Sequence, residues 1–221
     1  MTALTTAPLS TVLARLFAEI EPVDAKVREQ FEAIPVQERA SLIAKMKDYR
    51  TFYAQMKDAP LAVSRETANL LYMLARSIGA RSIVEFGTSF GVSTLHLAAA
   101  LRDNGGGKLI GTEFEPSKIE KAKRNLADGG LTDLVEIRSG DALKTLAREL
   151  PQTIDLVLLD GAKHLYLPVL ALIEPHLRTG ALIVADNANM APDYLKTVRS
   201  STQGYMSLPF AEDVELSIRL G

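Results

Sequence analysis

Residues 83–94 read IVEFGTSFGVST, and this stretch decides the fold. It begins as a short apolar run, passes through Gly87 and Gly91, and ends in residues that can start a helix. A strand, a glycine loop and a helix in this order are typical of α/β sheets that bind ligands beyond their strands' carboxyl ends. The two glycines do not follow the G-x-G-x-x-G spacing of dinucleotide-binding folds. The stretch therefore predicts a ligand-binding α/β sheet without assigning its ligand.

From residue 81 onward, short apolar runs alternate with helical patterns, which favours a parallel sheet with right-handed crossovers. Near the end, two apolar runs are joined by a three-residue loop, which is typical of an antiparallel hairpin. We expect a mostly parallel sheet of seven strands with one antiparallel C-terminal strand. The predicted strands are 82–86, 108–112, 134–138, 154–159, 181–185, 205–210 and 214–220, and the predicted helices between them are 92–102, 116–127, 143–149 and 165–177.

The first 63 residues predict a helical extension in front of a catalytic core at 64–221, the whole forming a single domain over 1–221. Ser10 can cap a helix that ends at Phe17, and a second helix is expected over 22–34. Residues 36–56 carry apolar side chains close to a 3.6-residue period, and Ser64 can begin a further helix. Such an apolar stripe needs burial, so we expect it to cover a cleft or to form a homodimer.

The composition excludes several classes of protein. The chain has 221 residues, of which 47% are hydrophobic, and a net charge of −2, so a nucleic-acid partner is not expected. It contains no cysteine, which excludes disulfides and thiolate metal sites and favours a cytoplasmic location. Neither a signal peptide nor an apolar span of about 20 residues is visible, so no membrane association is expected.

Two strand ends in the second half carry the chemistry. Asp160 follows the apolar run 156–159 and precedes Lys163, while Asp186 and Asn187 follow the apolar run 181–185. The carboxyl ends of parallel strands meet at one edge of a sheet, so these side chains are expected to lie together. Hard oxygen ligands beside an amine predict a divalent cation next to a proton acceptor. Capping of a nearby helix by Asp186 or Asn187, and a surface position for Lys163, are the alternatives.

Three acids close the first three predicted strands. Glu85 can accept hydrogen bonds from an amino group, and Glu113 can accept both hydroxyls of a ribose. Asp141, followed by the backbone amide of Ala142, suits the amine and ring nitrogen of adenine. An amino acid, a ribose and an adenine together describe S-adenosylmethionine. Each acid could instead cap a helix.

These motifs resemble the class I S-adenosylmethionine-dependent O-methyltransferases of the catechol and caffeoyl-coenzyme A type. The resemblance runs from residue 64 to the last residue and implies a Rossmann-like methyltransferase fold, S-adenosylmethionine as cofactor, and a homodimer. It also implies a divalent cation, usually Mg²⁺ but alternatively Ca²⁺ or Mn²⁺, held by Asp160, Asp186 and Asn187, with Lys163 as the general base. The cofactor residues that it implies are Glu85, Gly87, Ser89, Gly91, Ser93, Glu113, Phe114, Gly140, Asp141, Ala142 and Asp160.

The sequence departs from this family in the walls of the expected pocket. Catechol methyltransferases carry a tryptophan at the position of Ala162, whereas this chain contains no tryptophan, and Phe114 is expected to replace part of that wall. We expect an enzyme that methylates a hydroxyl of a small catechol-like or polyhydroxylated aromatic substrate, with Lys163 at a lowered pKa. A metal-independent methyltransferase and a non-catalytic nucleotide-binding module are the alternatives. The roles of His164, Tyr166 and Glu215 stay open.

Overall fold

The computed structural model describes residues 1–35, 49–200, 202–211 and 213–221. The strands are β1 (Ser82–Phe86), β2 (Lys108–Glu113), β3 (Val135–Ser139), β4 (Ile154–Leu159), β5 (Leu177–Ala185), β6 (Tyr205–Phe210) and β7 (Val214–Arg219). They form one sheet in the order β3-β2-β1-β4-β5-β7-β6. The first five strands are parallel, and β7 is antiparallel to both β5 and β6. The predicted Rossmann-like sheet with one reversed strand is confirmed.

Helices cover both faces of this sheet. They are α1 (Leu9–Glu32), α2 (Tyr49–Gln55), α3 (Arg65–Ser77), α4 (Val92–Asp103), α5 (Pro116–Asp128), α6 (Ala142–Thr145), α7 (Tyr166–Ile173) and α8 (Pro192–Val198). None of the helices in the described ranges has the length and apolar character needed to cross a membrane.

The strands face two separate hydrophobic clusters. In β4, Leu156 and Leu158 belong to the cluster that contains residues of α1, α3 and α4. Val157 and Leu159 point to the opposite face and join the cluster that contains residues of α7 and α8. Successive side chains of a strand alternate between faces, so a strand buried on both faces reads as one continuous apolar run. With both faces covered, the strand ends are where the sheet meets a ligand.

One N-terminal helix replaces the two that the sequence predicted. The helix α1 continues through Pro22, although proline lacks the N–H that would bond to the carbonyl four residues earlier. That carbonyl belongs to Ala18, which is exposed, so water can bind it. Among the α1 residues whose burial is described, the buried apolar ones, which include Leu13, Leu16 and Ile20, lie before the proline. The helix is therefore anchored by its first half and tolerates the proline.

The predicted helix at 36–56 is seen only from Tyr49 onward, as α2, and its stripe residues Leu42 and Met46 lie outside the described residues. The next helix begins where the sequence placed it. Ser64 caps α3 by accepting a 3.0 Å hydrogen bond from the backbone amide of Thr67.

β6 is one of the two edge strands of the described sheet, and β3 is the other. The only ladder partner of β6 among the described strands is β7, and Met206, Leu208 and Phe210 are exposed on β6. Proline occupies position 209, where no backbone N–H can be offered.

Candidate active site

A cavity of about 660 Å³ opens where the carboxyl ends of β1, β2 and β4 meet. This volume includes space open to solvent, and the position at strand ends is where α/β sheets bind ligands. The cavity wall contains eight of the eleven predicted cofactor residues: Gly87, Ser89, Glu113, Phe114, Gly140, Asp141, Ala142 and Asp160. Ser93 lines a smaller neighbouring cavity, whereas Glu85 and Gly91 line neither of the two.

Gly87 brings the loop after β1 against the end of β4. Its φ of +99° lies in the region that favours glycine, and a Cβ atom there would lie 2.5 Å from the carbonyl oxygen of Asp160. The close approach makes Asp160 part of the same wall as the glycine loop.

Glu85 lies beneath the loop and not on the cavity wall. It is fully buried, and its carboxyl accepts hydrogen bonds from the hydroxyls of Thr88 (2.9 Å), Ser93 (2.7 Å) and Thr94 (2.6 Å). Burial raises the pKa of this carboxyl from 4.5 to about 7, although the three hydroxyls act in the opposite direction. The described structure therefore gives Glu85 partners within the chain, and its contact with an amino group of the cofactor stays a prediction.

Glu113 organises the wall at the end of β2. Its carboxylate accepts hydrogen bonds from the backbone amides of Ser89 (2.9 Å), Phe114 (2.9 Å) and Glu115 (3.0 Å). Ser89 has a φ of +47°, and its hydroxyl donates to the carbonyl of Pro60. The hydroxyl predicted to contact the cofactor is thus bound to the segment before α3.

Asp141 caps a helix and also lies on the cavity wall. Its Oδ1 caps α6 by accepting a 3.0 Å hydrogen bond from the backbone amide of Leu143. Its Oδ2 forms a 2.8 Å ion pair with Arg50 of α2, and the residue also lines the cavity. The capping alternative is confirmed here, and contact with adenine stays a prediction.

Two tyrosines of α2 lie on the cavity wall, which agrees with one of the two expectations for the stripe at 36–56, that it covers a cleft. The ring of Tyr49 lies edge-on to that of Phe114, with centroids 6.1 Å apart, and 5.6 Å from that of His164. Tyr53 also lines the cavity. The only signal for these tyrosines was the apolar stripe at 36–56, and periodicity alone cannot show what such a stripe covers.

Lys163 lies in a short chain of hydrogen bonds. Its ammonium donates to Asp160 Oδ1 (3.0 Å) and to the Tyr166 hydroxyl (2.8 Å), and that hydroxyl donates to the backbone carbonyl of Asp186 (2.7 Å). Burial alone would lower the pKa of Lys163, but Tyr166, Asp160 and Asp186 raise it more, and it lies well above that of a free lysine. The predicted lowering of this pKa is therefore wrong for the chain by itself, because the surrounding acceptors outweigh burial. A surface position for Lys163 is also wrong, since its side chain is only 10% exposed.

Asp186 and Asn187 end β5 at the same edge. Asp186 is largely buried, and the Asn187 side-chain nitrogen donates a 2.9 Å hydrogen bond to Asp213. The residue before α8 is Ala191, and no side chain caps that helix. The capping alternative for Asp186 and Asn187 is therefore wrong.

The donor set at this edge has the chemistry that a magnesium site needs. Asp160 and Asp186 offer carboxylate oxygens, and Asn187 turns its amide nitrogen towards Asp213, which leaves its oxygen as an acceptor. Across the described ranges, however, no three histidine, cysteine or acidic side chains converge as a metal-binding group. The residues fit the predicted ion by donor type, and metal binding stays a prediction.

Glu215, whose role the sequence left open, is buried and faces away from solvent. Its side chain is 1% exposed and is held by Arg199 (2.6 and 2.8 Å) and Ser207 (2.6 Å). Burial alone would raise the pKa of Glu215, but these donors hold it below its usual range. Its role here is to join β7, β6 and the end of α8.

Comparison with known proteins points to methyltransferases. Residues 84–188 match a protein family described as a methyltransferase domain. A catechol O-methyltransferase of Niastella koreensis is 36% identical over 130 residues, which are 58% of this chain and 58% of that protein. Catechol O-methyltransferase B of Danio rerio is 31% identical over 171 residues, 74% of this chain and 64% of that protein. The chain thus spans less than two thirds of the length of these relatives.

A solved structure matches over nearly the whole chain. It is the O-methyltransferase TomG of Streptomyces achromogenes, involved in tomaymycin synthesis and determined in complex with SAM. The TM-score is 0.65 at 27% identity, and the match covers 92% of this chain and 99% of that one.

Proposed function

We propose that this chain is a class I S-adenosylmethionine-dependent O-methyltransferase of the catechol and caffeoyl-coenzyme A type, and that it methylates a hydroxyl of a small polyhydroxylated aromatic compound. The observation that carries the proposal is the placement of Lys163, whose ammonium is held 3.0 Å from Asp160 beside the cavity. Lys163, the proposed proton-transfer group, therefore lies beside the proposed cofactor cavity at the carboxyl edge of one sheet.

The cavity wall supports S-adenosylmethionine as the methyl donor. Glu113, which is aligned by three backbone amides, is proposed to accept the ribose hydroxyls. Asp141 and the amide of Ala142 are proposed to bind adenine, and the Gly87 loop leaves room for the methionine part. Tyr49 and Phe114 would take the place of the absent tryptophan as apolar contacts for the base.

Lys163 is proposed as the general base. A neutral hydroxyl is a weak nucleophile, so its proton must leave as the oxygen approaches the donor's methyl carbon. The hydrogen bonds from Lys163 Nζ to Asp160 and Tyr166 fix that nitrogen in place. Mg²⁺ would be held by Asp160, Asp186 and Asn187. When bound, it would be chelated by two adjacent oxygens of the substrate and would lower the pKa of the substrate hydroxyl.

A metal-independent methyltransferase on the same fold is the second candidate. The observation that favours it is the ion pair of Asp160 with Lys163, because a cation already occupies one oxygen of the first proposed metal ligand. The acidic edge would then serve only to position the lysine.

A methyl-transfer assay with labelled S-adenosylmethionine tests the proposal. Catechols, flavonoids and hydroxycinnamoyl esters are offered as acceptors, with Mg²⁺ or after exhaustive chelation. We expect turnover of an acceptor with vicinal oxygens that disappears on chelation and returns with Mg²⁺. Turnover that survives exhaustive chelation would establish the metal-independent candidate, and Asp160→Ala would then still lower it, because Asp160 positions Lys163. Absence of binding to S-adenosylhomocysteine in calorimetry would reject both.

Two features of the protein in the cell complete the proposal. We expect a homodimer, as the family resemblance implies, and a cytoplasmic location, which the absence of cysteine favours. Light scattering coupled to gel filtration tests the first, and a monomer at assay concentration would contradict it. Fractionation of the source cells tests the second.

A further inference from the structure

Lys118 is a buried lysine on the wall of the cofactor cavity. It lies in the first turn of α5, is 4% exposed, and shares the buried face of that helix with Ile119 and Ala122. Among the residues described as lining the cavity, it is the only lysine or arginine. A cation occupies a position where the helix pattern would place an apolar residue.

The ammonium of Lys118 has no acceptor within the described chain. Across those residues it forms neither a hydrogen bond nor an ion pair, and its nearest aromatic ring is that of Phe90, 5.9 Å from Nζ to the centroid. Buried charged groups are normally paired and hydrogen-bonded, because removing their hydration without replacement is costly. Three N–H donors thus remain to be satisfied at the cavity wall.

The acids around Lys118 are already bound by other groups. Glu113, Asp160, Asp24 and Glu115 attract the ammonium electrostatically, but none lies within ion-pair distance of it. Each has other donors: three backbone amides for Glu113, the Lys163 ammonium for Asp160, the amides of Leu61 and Ala62 for Asp24, and Ser117 for Glu115. The acids balance the charge of Lys118 without supplying it an acceptor. That acceptor must come from the cavity, as water or as a ligand that displaces it.

We propose that Lys118 donates a hydrogen bond to a ribose hydroxyl oxygen of the adenosine-containing cofactor, beside Glu113. The inference rests on the cofactor proposed above. A hydroxyl group can donate and accept at once, whereas a carboxylate only accepts and an ammonium only donates. Glu113 therefore accepts hydrogen bonds from the hydroxyls of the ribose diol, and Lys118 donates one to an oxygen of that diol. Neither residue could fill both roles. Lys118 is a binding residue of the nucleoside subsite and a determinant of its preference for ribose.

Calorimetric titration with S-adenosylhomocysteine and with its 2′-deoxy and 3′-deoxy analogues tests the inference. The variants are Lys118→Met and, as a matched control, Lys121→Met. Lys121 lies on the same helix and contacts the same Phe90 ring (4.1 Å), but it does not line the cavity. We expect Lys118→Met to weaken binding of S-adenosylhomocysteine about 10- to 100-fold, the range for one hydrogen bond to a charged group, and Lys121→Met to change it less than twofold.

The deoxy analogues identify the atom that Lys118 contacts. One of them is expected to bind wild type about tenfold or more weakly than S-adenosylhomocysteine, and that penalty is expected to shrink in Lys118→Met to the part caused by the lost bond to Glu113. An equal penalty in both proteins would overturn the inference. So would a Lys118→Met defect that disappears with 5′-methylthioadenosine, because that ligand keeps the ribose and lacks the amino-acid carboxylate.

Stability separates a binding role from a structural one. Without ligand, Lys118→Met is expected to melt at the wild-type temperature or above it, since methionine removes an unpartnered buried charge. A lower melting temperature with unchanged affinity would overturn the inference. Lys118→Gln, which keeps a donor without the charge, is expected to bind with intermediate affinity. Failure of wild type itself to bind S-adenosylhomocysteine would instead reject the proposed function.

Discussion

The ammonium of Lys163 donates a 2.8 Å hydrogen bond to the hydroxyl of Tyr166, which is completely buried between Phe86 and Tyr194. That hydroxyl donates a 2.7 Å hydrogen bond to the backbone carbonyl of Asp186. One tyrosine therefore ties the proposed base on the loop after β4 to the end of β5.

Replacing Tyr166 by phenylalanine is expected to lower kcat about tenfold with little change in KM. The ring would still pack, but Lys163 would lose one of the two groups that fix its nitrogen, and misplaced catalytic groups act slowly. Steady-state kinetics give the two constants. Tyr194→Phe is the control, because its ring packs against Tyr166 (5.8 Å) without contacting Lys163. An unchanged kcat in Tyr166→Phe would show that the hydroxyl only fills space.

Turnover is expected to rise with pH if Lys163 is the base. Its pKa lies well above that of a free lysine, so near neutral pH only a small fraction of the side chain is neutral, and that fraction grows about tenfold per pH unit. The profile of kcat/KM between pH 6 and 9 measures this. Lys163→Ala should remove the slope and lower turnover far more than cofactor affinity. A flat profile for wild type, or equal loss of turnover and affinity in the variant, would contradict the role.

The buried carboxyl of Glu85 is expected to make the fold less stable as pH rises. Its pKa is about 7 in the folded chain against 4.5 for the free group, so between these values the folded state holds the proton more tightly. The contribution to stability is complete below pH 4.5 and is lost up to pH 7, by on the order of 3 kcal/mol. Urea unfolding of wild type and Glu85→Gln measures the difference, and parallel pH profiles would contradict the shift.

Replacing Arg50 by methionine is expected to speed cofactor release with almost no effect on stability. Arg50 is largely exposed, and exposed ion pairs contribute less than about 1 kcal/mol to the free energy of unfolding. Its partner Asp141 lines the cavity, however, so the pair fastens α2 and its tyrosines over the proposed cofactor site. Stopped-flow displacement should show a several-fold faster dissociation of S-adenosylhomocysteine. Lys57→Met, which removes an exposed pair with Asp58 away from the cavity, should leave that rate unchanged.

Local patterns predicted the sheet well and its margins less well. The strands β1, β4 and β6 have their predicted bounds because each is an apolar run with clear ends. β5 begins at Leu177, whereas the predicted strand began at residue 181. The residues 177–180 are exposed or only partly buried, so they lack the continuous apolar pattern from which the strand was predicted. α6 ends at Thr145, before its predicted end at 149, where Glu149 adopts a φ of +53° that no helix allows.

The candidate site was predictable where residues follow strand ends and unpredictable where distant segments meet. Asp160 and Asp186 could be assigned to one edge from the sheet alone. Tyr49 could not be assigned to Phe114, nor Arg50 to Asp141, because those pairs depend on how the N-terminal segment folds back. Lys118 was missed for another reason: a lysine in a helix reads as a solvent-exposed residue, and only its burial reveals it.

The position of β7 has a consequence for the order in which the sheet is completed. β7 follows β6 in the chain yet lies between β6 and β5, so β6 reaches the sheet only through β7, and the two strands must join β5 as a pair or with β7 first. Met206, Leu208 and Phe210 are exposed on β6, where a strand of another molecule could pair with a free edge. Proline at position 209 cannot donate a hydrogen bond to such a strand, which makes this edge a poorer template for pairing.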